Sequence, residues 1–127
     1  MSTETQNPGE APKARVLLVD DDEGVRRSLQ LLLHGSGYSV RAHASASSIL
    51  HEPPVDDIDM LVTDYRLPDG DGLGILRAMR RRGWDGRAVL ITAFPSPLVR
   101  DCALSSGFAA VLEKPLRPYE LFGALSG

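Results

Sequence analysis

The chain has 127 residues, enough for one domain with a proper core, and its 43% hydrophobic and 24% charged content is ordinary for a soluble globular protein. A net charge of -3 argues against a protein that tracks a nucleic-acid backbone, because no basic face is suggested. The single cysteine excludes an internal disulfide and a multi-cysteine zinc site, and no apolar run approaches the roughly 20 residues of a membrane span. No signal peptide is visible, so the cytoplasm is the expected compartment.

Residues 1–13, MSTETQNPGEAPK, are polar, lack apolar periodicity and contain Pro8, Gly9 and Pro12. They predict a disordered lead-in, with one domain over residues 14–127. Arg15–Val19 is a continuous β-type run, as expected of a strand buried on both faces. Val25, Leu29, Leu32 and Leu33 then follow helical spacing until Gly35 and Gly37 stop it. YSVRAH reads as a weaker strand, and Ser45 to His51 as a short helix ended by Pro53-Pro54. DMLVTD is a third strand. Leu73, Leu76 and Met79 mark a helix closed by Gly83, whose basic stretch RAMRRRG reads as a solvated helix end. RAVLITA is the fourth strand, and the next helix opens near Pro97. Leu98, Val99, Cys102 and Ala103 share its pattern, which makes Cys102 a small core residue. FAAVLEK is the fifth strand and RPYELFGALSG the last helix. Trp84 is expected to cap an apolar edge, and His34, His43 and His51, which lack metal-ligand spacing, to be structural or exposed.

Five strand–helix pairs imply a parallel sheet covered on both faces, and right-handed crossovers make it a doubly wound α/β sandwich. Ligands in such a sheet bind outside the carboxyl ends of the strands. The first strand ends in Asp20-Asp21-Asp22, the third in Asp64, the fourth in Thr92, and the fifth runs into Lys114. Carboxylates crowded this closely stay ionised only if a cation screens them, and an all-oxygen set suits Mg²⁺. A carboxylate can also attack phosphorus to form an acyl phosphate, with a metal, a lysine and a hydroxyl neutralising the phosphoryl charge. The chemistry alone leaves a phosphoryl-transfer site and a plain acidic rim both open. Asp22 has a simpler reading as a helix cap. Asp69 and Asp71 in PDGDG suggest a calcium loop, but taking Gly72 as the loop glycine would put Leu67 in the first ligand position.

VLLVDDDEGVRRSL, LVTDYRLPDGDG, VLITA and LEKP, in this order and spacing, resemble the receiver domain of bacterial two-component response regulators, from about Arg15 to Leu125. The resemblance implies a flavodoxin-like (βα)5 sandwich with strand order 2-1-3-4-5. It makes Asp64 the phosphoacceptor, and it makes Asp20 and Asp21 the acidic pocket, with Asp21 the more direct Mg²⁺ ligand. The backbone carbonyl of Arg66 would complete the metal's protein ligands. Thr92 would be the switch hydroxyl, Lys114 the cation paired with the acceptor, and Lys114-Pro115 a cis peptide. Leu67-Pro68 and Gly72 match the turn after the acceptor. The implied donor is a histidine kinase or histidine phosphotransfer protein, and the implied chemistry is limited to the domain's own phosphorylation and dephosphorylation. Relatives of this kind also suggest a homodimer through the fourth helix, fifth strand and fifth helix, with no nucleic acid or membrane bound by this chain.

The sequence departs from the family pattern in places. Val111 stands where a Tyr or Phe usually reports phosphorylation, and Gly70 where the turn is often apolar. Arg66 and Phe94 occupy positions that tune phosphoryl lifetime, and their bulk predicts slow dephosphorylation; Pro95 and Pro97 should stiffen the approach to the fourth helix. Two other readings remain. A pseudo-receiver that binds partners without phosphorylation is favoured by Val111 and opposed by the complete acidic, hydroxyl and lysine set. A phosphatase of the haloacid dehalogenase type would use Asp20 and Asp22, but Gly24 stands where that family has Thr or Val, and Asp64 would be unexplained.

Overall fold

The computed structural model of the protein describes residues 14–126, so the lead-in expected over residues 1–13 lies outside the described residues. Five parallel strands form the main sheet: β1 (Arg15–Val19), β2 (Ser39–His43), β3 (Met60–Asp64), β6 (Arg87–Thr92) and β7 (Ala110–Glu113), ordered β2-β1-β3-β6-β7. Two short strands, β4 (Arg66–Leu67) and β5 (Gly70–Asp71), pair as an antiparallel hairpin directly after β3. Counting only the main sheet gives the expected order of second, first, third, fourth and fifth; the hairpin shifts the numbering and was not foreseen as paired strands.

Strand alternation sends side chains to opposite faces, and here both faces are apolar. Leu17 and Val19 of β1, Leu61 of β3, and Ala88 and Leu90 of β6 point into one core. Val16, Leu18, Val62, Val89 and Ile91 point into the other. α2 (Ser47–His51), α3 (Gly72–Arg81) and α4 (Pro97–Ser105) cover the first face with Ile49, Ile75, Leu76, Met79 and Ala103. α1 (Glu23–Gly35) and α5 (Pro118–Ser126) cover the second with Leu29, Leu33, Leu121 and Leu125. Among the described residues no helix is long and apolar enough to cross a membrane.

The helix starts follow their sequence signals. Asp22 caps α1 by accepting from the Val25 N–H at 2.9 Å, and Ser96 caps α4 ahead of Pro97 by accepting from Val99. Trp84 is buried and donates its indole N–H to the Ile58 carbonyl at 2.7 Å, so it seals an apolar edge as expected. His34 and His51 are exposed, and His43 is half-buried.

Three side chains sit differently from their sequence reading. Cys102 is exposed, because α4 buries Ala103 and half-buries Val99 while Cys102 lies about 100° round the helix from Ala103. Leu98, in the same predicted pattern, is 73% exposed. In the basic stretch, Arg77, Arg81 and Arg82 are solvated as expected, but Arg80 is not. Its guanidinium donates to the carbonyls of Trp84 and Gly86 at 3.0 Å and lies 5.0 Å from the Trp84 ring centroid.

Candidate functional site

The sheet register delivers four chemistry-bearing residues to one edge. Val19 pairs with Thr63 and Asp64 with Ile91, while Thr92 pairs with Glu113. Each ladder runs a step past its strand: Asp20 N–H donates to the His43 carbonyl, Tyr65 N–H to Ile91, and Lys114 N–H to Thr92. Asp20, Asp64, Thr92 and Lys114 therefore finish adjacent strands at the carboxyl edge. β2 lies on one side of β1 and β3 on the other, so Asp20 and Asp64 flank the switch point of the sheet.

Asp20 is fully buried, and each of its oxygens has a neighbour. Oδ1 accepts from the Asp22 N–H at 2.9 Å, and Oδ2 lies 2.9 Å from Lys114 Nζ. The second contact is close, but its angles are wrong for a hydrogen bond, so Oδ2 is held by charge alone. Lys114 Nζ also donates to Asp64 Oδ2 at 3.0 Å, and one ammonium thus bridges both carboxylates. Asp21 stands exposed beside them, and ligand atoms of Asp20, Asp21 and Asp64 lie within 4.8 Å of one another. Three carboxylates at this spacing can reach a single cation.

The electrostatics follow from this packing. Burial pushes the Asp64 carboxyl above the usual carboxylate range; Lys114 pulls it back, and the charges of Asp20 and Asp21 add to the rise. Burial acts to depress the Lys114 ammonium, but the close approach and charges of the Asp20 and Asp64 carboxylates outweigh it, and its pKa is raised. The pocket holds negative charge with one internal cation to offset it.

The other expected residues take their places around this core. Thr92 is buried at the end of β6, and its hydroxyl oxygen accepts from the Phe94 N–H at 3.1 Å. The Lys114–Pro115 peptide is cis. Arg66 begins the hairpin with its side chain exposed, two residues past Asp64. Gly72 opens α3 against the end of β3, where a Cβ would lie 2.6 Å from the Asp64 carbonyl oxygen and 2.8 Å from Thr63 Cγ2. Only glycine allows that approach. Val111 is buried in the core beneath α4, and Phe94 is 76% exposed, so its ring shields the pocket little in this conformation. Sequence reasoning did not single out Arg26, whose guanidinium donates to the Asp20 carbonyl at 2.9 Å. The available signal was only its place six residues after Asp20, on the inward side of α1.

Comparisons with known proteins agree with this geometry. The family described as response regulator receiver domain matches residues 16–126. The transcriptional regulatory protein FixJ of Azorhizobium caulinodans is 34% identical over 110 residues, covering 87% of this chain and 52% of that protein. The response regulator MprA of Mycobacterium avium is 36% identical over 111 residues, covering 87% of this chain and 49% of the relative. The chain thus spans about half the length of the curated relatives it matches. Among solved structures, the crystal structure of FixJ-N superposes with a TM-score of 0.78 at 30% identity, covering 91% of this chain and 93% of that one. The non-phosphorylated HemR receiver domain of Leptospira biflexa gives 0.81 at 29% identity, covering 90% and 92%. With a flavodoxin-like fold and a family match over nearly all the described residues, the chain belongs to the response regulator receiver domains, the signalling domains of two-component systems.

Proposed function

We propose that this domain accepts a phosphoryl group on Asp64 from a histidine kinase or a histidine phosphotransfer protein, in a Mg²⁺-dependent reaction. The observation that carries the reading is the Asp64 carboxylate at the switch point, 3.0 Å from Lys114 Nζ and clustered with Asp20 and Asp21. The all-oxygen donor set fits a small hard cation, and the buried Asp20 Oδ2, held by charge without an aligned donor, is an oxygen such an ion would satisfy. Asp20, Asp21, Asp64 and the Arg66 carbonyl would hold Mg²⁺, with Asp21 the more direct ligand of the acidic pair. Bound there, the ion supplies charge neutralisation at the phosphoryl oxygens.

The remaining work belongs to the chain's own residues. An Asp64 oxygen attacks phosphorus as the P–N bond to the donor breaks, and the donor imidazole, already protonated on its other ring nitrogen, leaves as the neutral ring. Lys114, already an ammonium, turns from a pure carboxylate partner into a donor to the phosphoryl oxygens. Thr92 can exchange its bond with the Phe94 N–H for donation to the same group. The domain has no metabolic substrate and catalyses only its own phosphorylation and dephosphorylation. The face formed by α4, β7 and α5 is the surface it would use for a homodimer or another partner, and Leu98 and Leu104 of α4 and Tyr119 of α5 are exposed there.

Incubation with Mg²⁺ and acetyl phosphate, read by intact mass, tests this reading. Wild type should gain one phosphoryl adduct, stable in acid and labile in base, and Asp64→Ala should gain none. An adduct that persists in Asp64→Ala would overturn the assignment of the acceptor. Wild type that gains no adduct while still binding Mg²⁺ would favour a pseudo-receiver.

A further inference from the structure

Asp20, Asp21 and Asp22 share one short turn of backbone, and that turn must be held against their mutual repulsion. Asp22 uses its carboxylate to cap α1 and its N–H to bind Asp20 Oδ1. The Asp20 N–H goes to the His43 carbonyl at 3.1 Å. The Asp20 carbonyl remains, and the part-buried guanidinium of Arg26 takes it, Nη1 donating at 2.9 Å from the first turns of α1. Among the described residues Arg26 forms no ion pair, although three carboxylates precede it on the same loop. Its charge serves backbone geometry rather than neutralisation.

We infer that Arg26 is a positioning residue: by clamping the Asp20 carbonyl it fixes the turn from which Asp20 and Asp21 reach the cation, and so it sets the pocket's Mg²⁺ affinity without touching the ion. The inference rests on the Mg²⁺-dependent reading above. Charge and geometry predict opposite signs here. A guanidinium near the pocket repels Mg²⁺, so removing its charge alone would tighten binding. Loss of the clamp would loosen it, since partners that orient metal ligands contribute about 10- to 100-fold in affinity. Arg27, the next residue, is exposed and provides a control with the same change of charge.

The test is calorimetric titration of the metal-free chain with Mg²⁺, beside amide hydrogen exchange and Tm measured in EDTA. Arg26→Gln should bind Mg²⁺ about tenfold more weakly. Its Asp22 amide, which donates to Asp20 Oδ1, should exchange faster before any metal is added. Its Tm should stay within a few degrees of wild type, and Arg27→Gln should bind as wild type does or slightly tighter. Binding by Arg26→Gln that equals or exceeds wild type overturns the inference and leaves the Mg²⁺ reading standing. A collapse of the Arg26→Gln fold in EDTA gives Arg26 a general structural role and overturns it as well. Wild type that takes up no Mg²⁺ overturns the Mg²⁺ reading and this inference together.

Discussion

Single residues at the carboxyl edge differ in ways their spelling does not reveal. Asp20 and Asp21 are identical neighbours, yet one is fully buried and the other exposed, because Asp20 still joins the β1 ladder through its N–H to the His43 carbonyl while Asp21 lies in the bend beyond the strand. The role of Asp22 as a cap was legible, since an aspartate just before an apolar helical pattern is a local signal. The environment of His43 was not legible, because its neighbours come from another part of the chain. It ends β2 half-buried, with Nδ1 3.0 Å from Ser48 Oγ and Nε2 buried without a hydrogen-bond partner among the described residues. Burial pushes its pKa below the ordinary imidazole value of 6.5, and the charge of Arg41 adds to the fall. A protonated ring carries an N–H on both nitrogens, and the one at Nε2 would meet no acceptor among the described residues. The native state therefore takes a proton less readily than the unfolded chain. The contribution of a neutral His43 is fully present above about pH 6.5 and is lost as pH falls through that unfolded value toward the lower folded one. Urea midpoints should drop further between about pH 7.5 and 5 for wild type than for His43→Phe. Parallel pH profiles for the two proteins would show that the ring titrates normally.

Elements with strong periodicity were legible, and the one without it was not. Apart from the polar edge strand β2, the sheet strands are largely apolar runs because helices cover both faces, and the carboxyl end of the sheet carries the candidate site. The β4–β5 hairpin has two residues per strand, too few for any alternation to show. Its function in the fold is nonetheless specific. The Asp69 carboxylate accepts from the Ala46 and Ser47 N–H groups, each at 2.8 Å, and so caps α2, whose own Ala46 has no side chain to do so. Gly70 packs against Ala46, where a Cβ would lie 3.3 Å away, which accounts for a small residue in a turn that is often apolar. The cap reaches α2 from more than 20 residues away, beyond any local sequence rule. These hydrogen bonds hold the Asp69 carboxyl below the usual carboxylate range, the Ala46 N–H contributing most. Asp69→Ala should lower the urea midpoint, as removal of a helix cap does. Denaturant unfolding measures the loss, and faster exchange of the Ala46 and Ser47 amides would locate it at α2. A loss without that local signature would mean the hairpin is tied down elsewhere.

Across the whole molecule, the two edges of the sheet do different work. The carboxyl edge gathers like charges around Lys114, a costly arrangement that suits a site rather than a core. The amino edge is closed by contacts without such conflict. Trp84 binds the Ile58 carbonyl, Arg80 lies over the Trp84 ring and donates to two carbonyls, and Arg15 pairs with Asp59 at 3.1 Å. Gly86 lies against both the Trp84 ring and the Asp59 backbone, where a Cβ would meet Trp84 Cε2 at 2.7 Å and the Asp59 carbonyl oxygen at 2.4 Å. A five-residue strand separates the edges by roughly 17 Å. That exceeds the 7–10 Å or so within which substitutions usually couple, and it is about two Debye lengths at physiological salt. Arg80→Ala removes two charge-assisted hydrogen bonds and a cation–π contact from a part-buried position, and it should cost about 2 kcal/mol of stability. The pocket should not register the change. At a temperature where the variant stays folded, its acetyl phosphate adduct should form at the wild-type rate, while its urea midpoint falls. If Arg80→Ala slows adduct formation without unfolding, the amino edge helps set the carboxyl edge, and the sheet acts as one coupled body rather than as a rigid strut between a seal and a site.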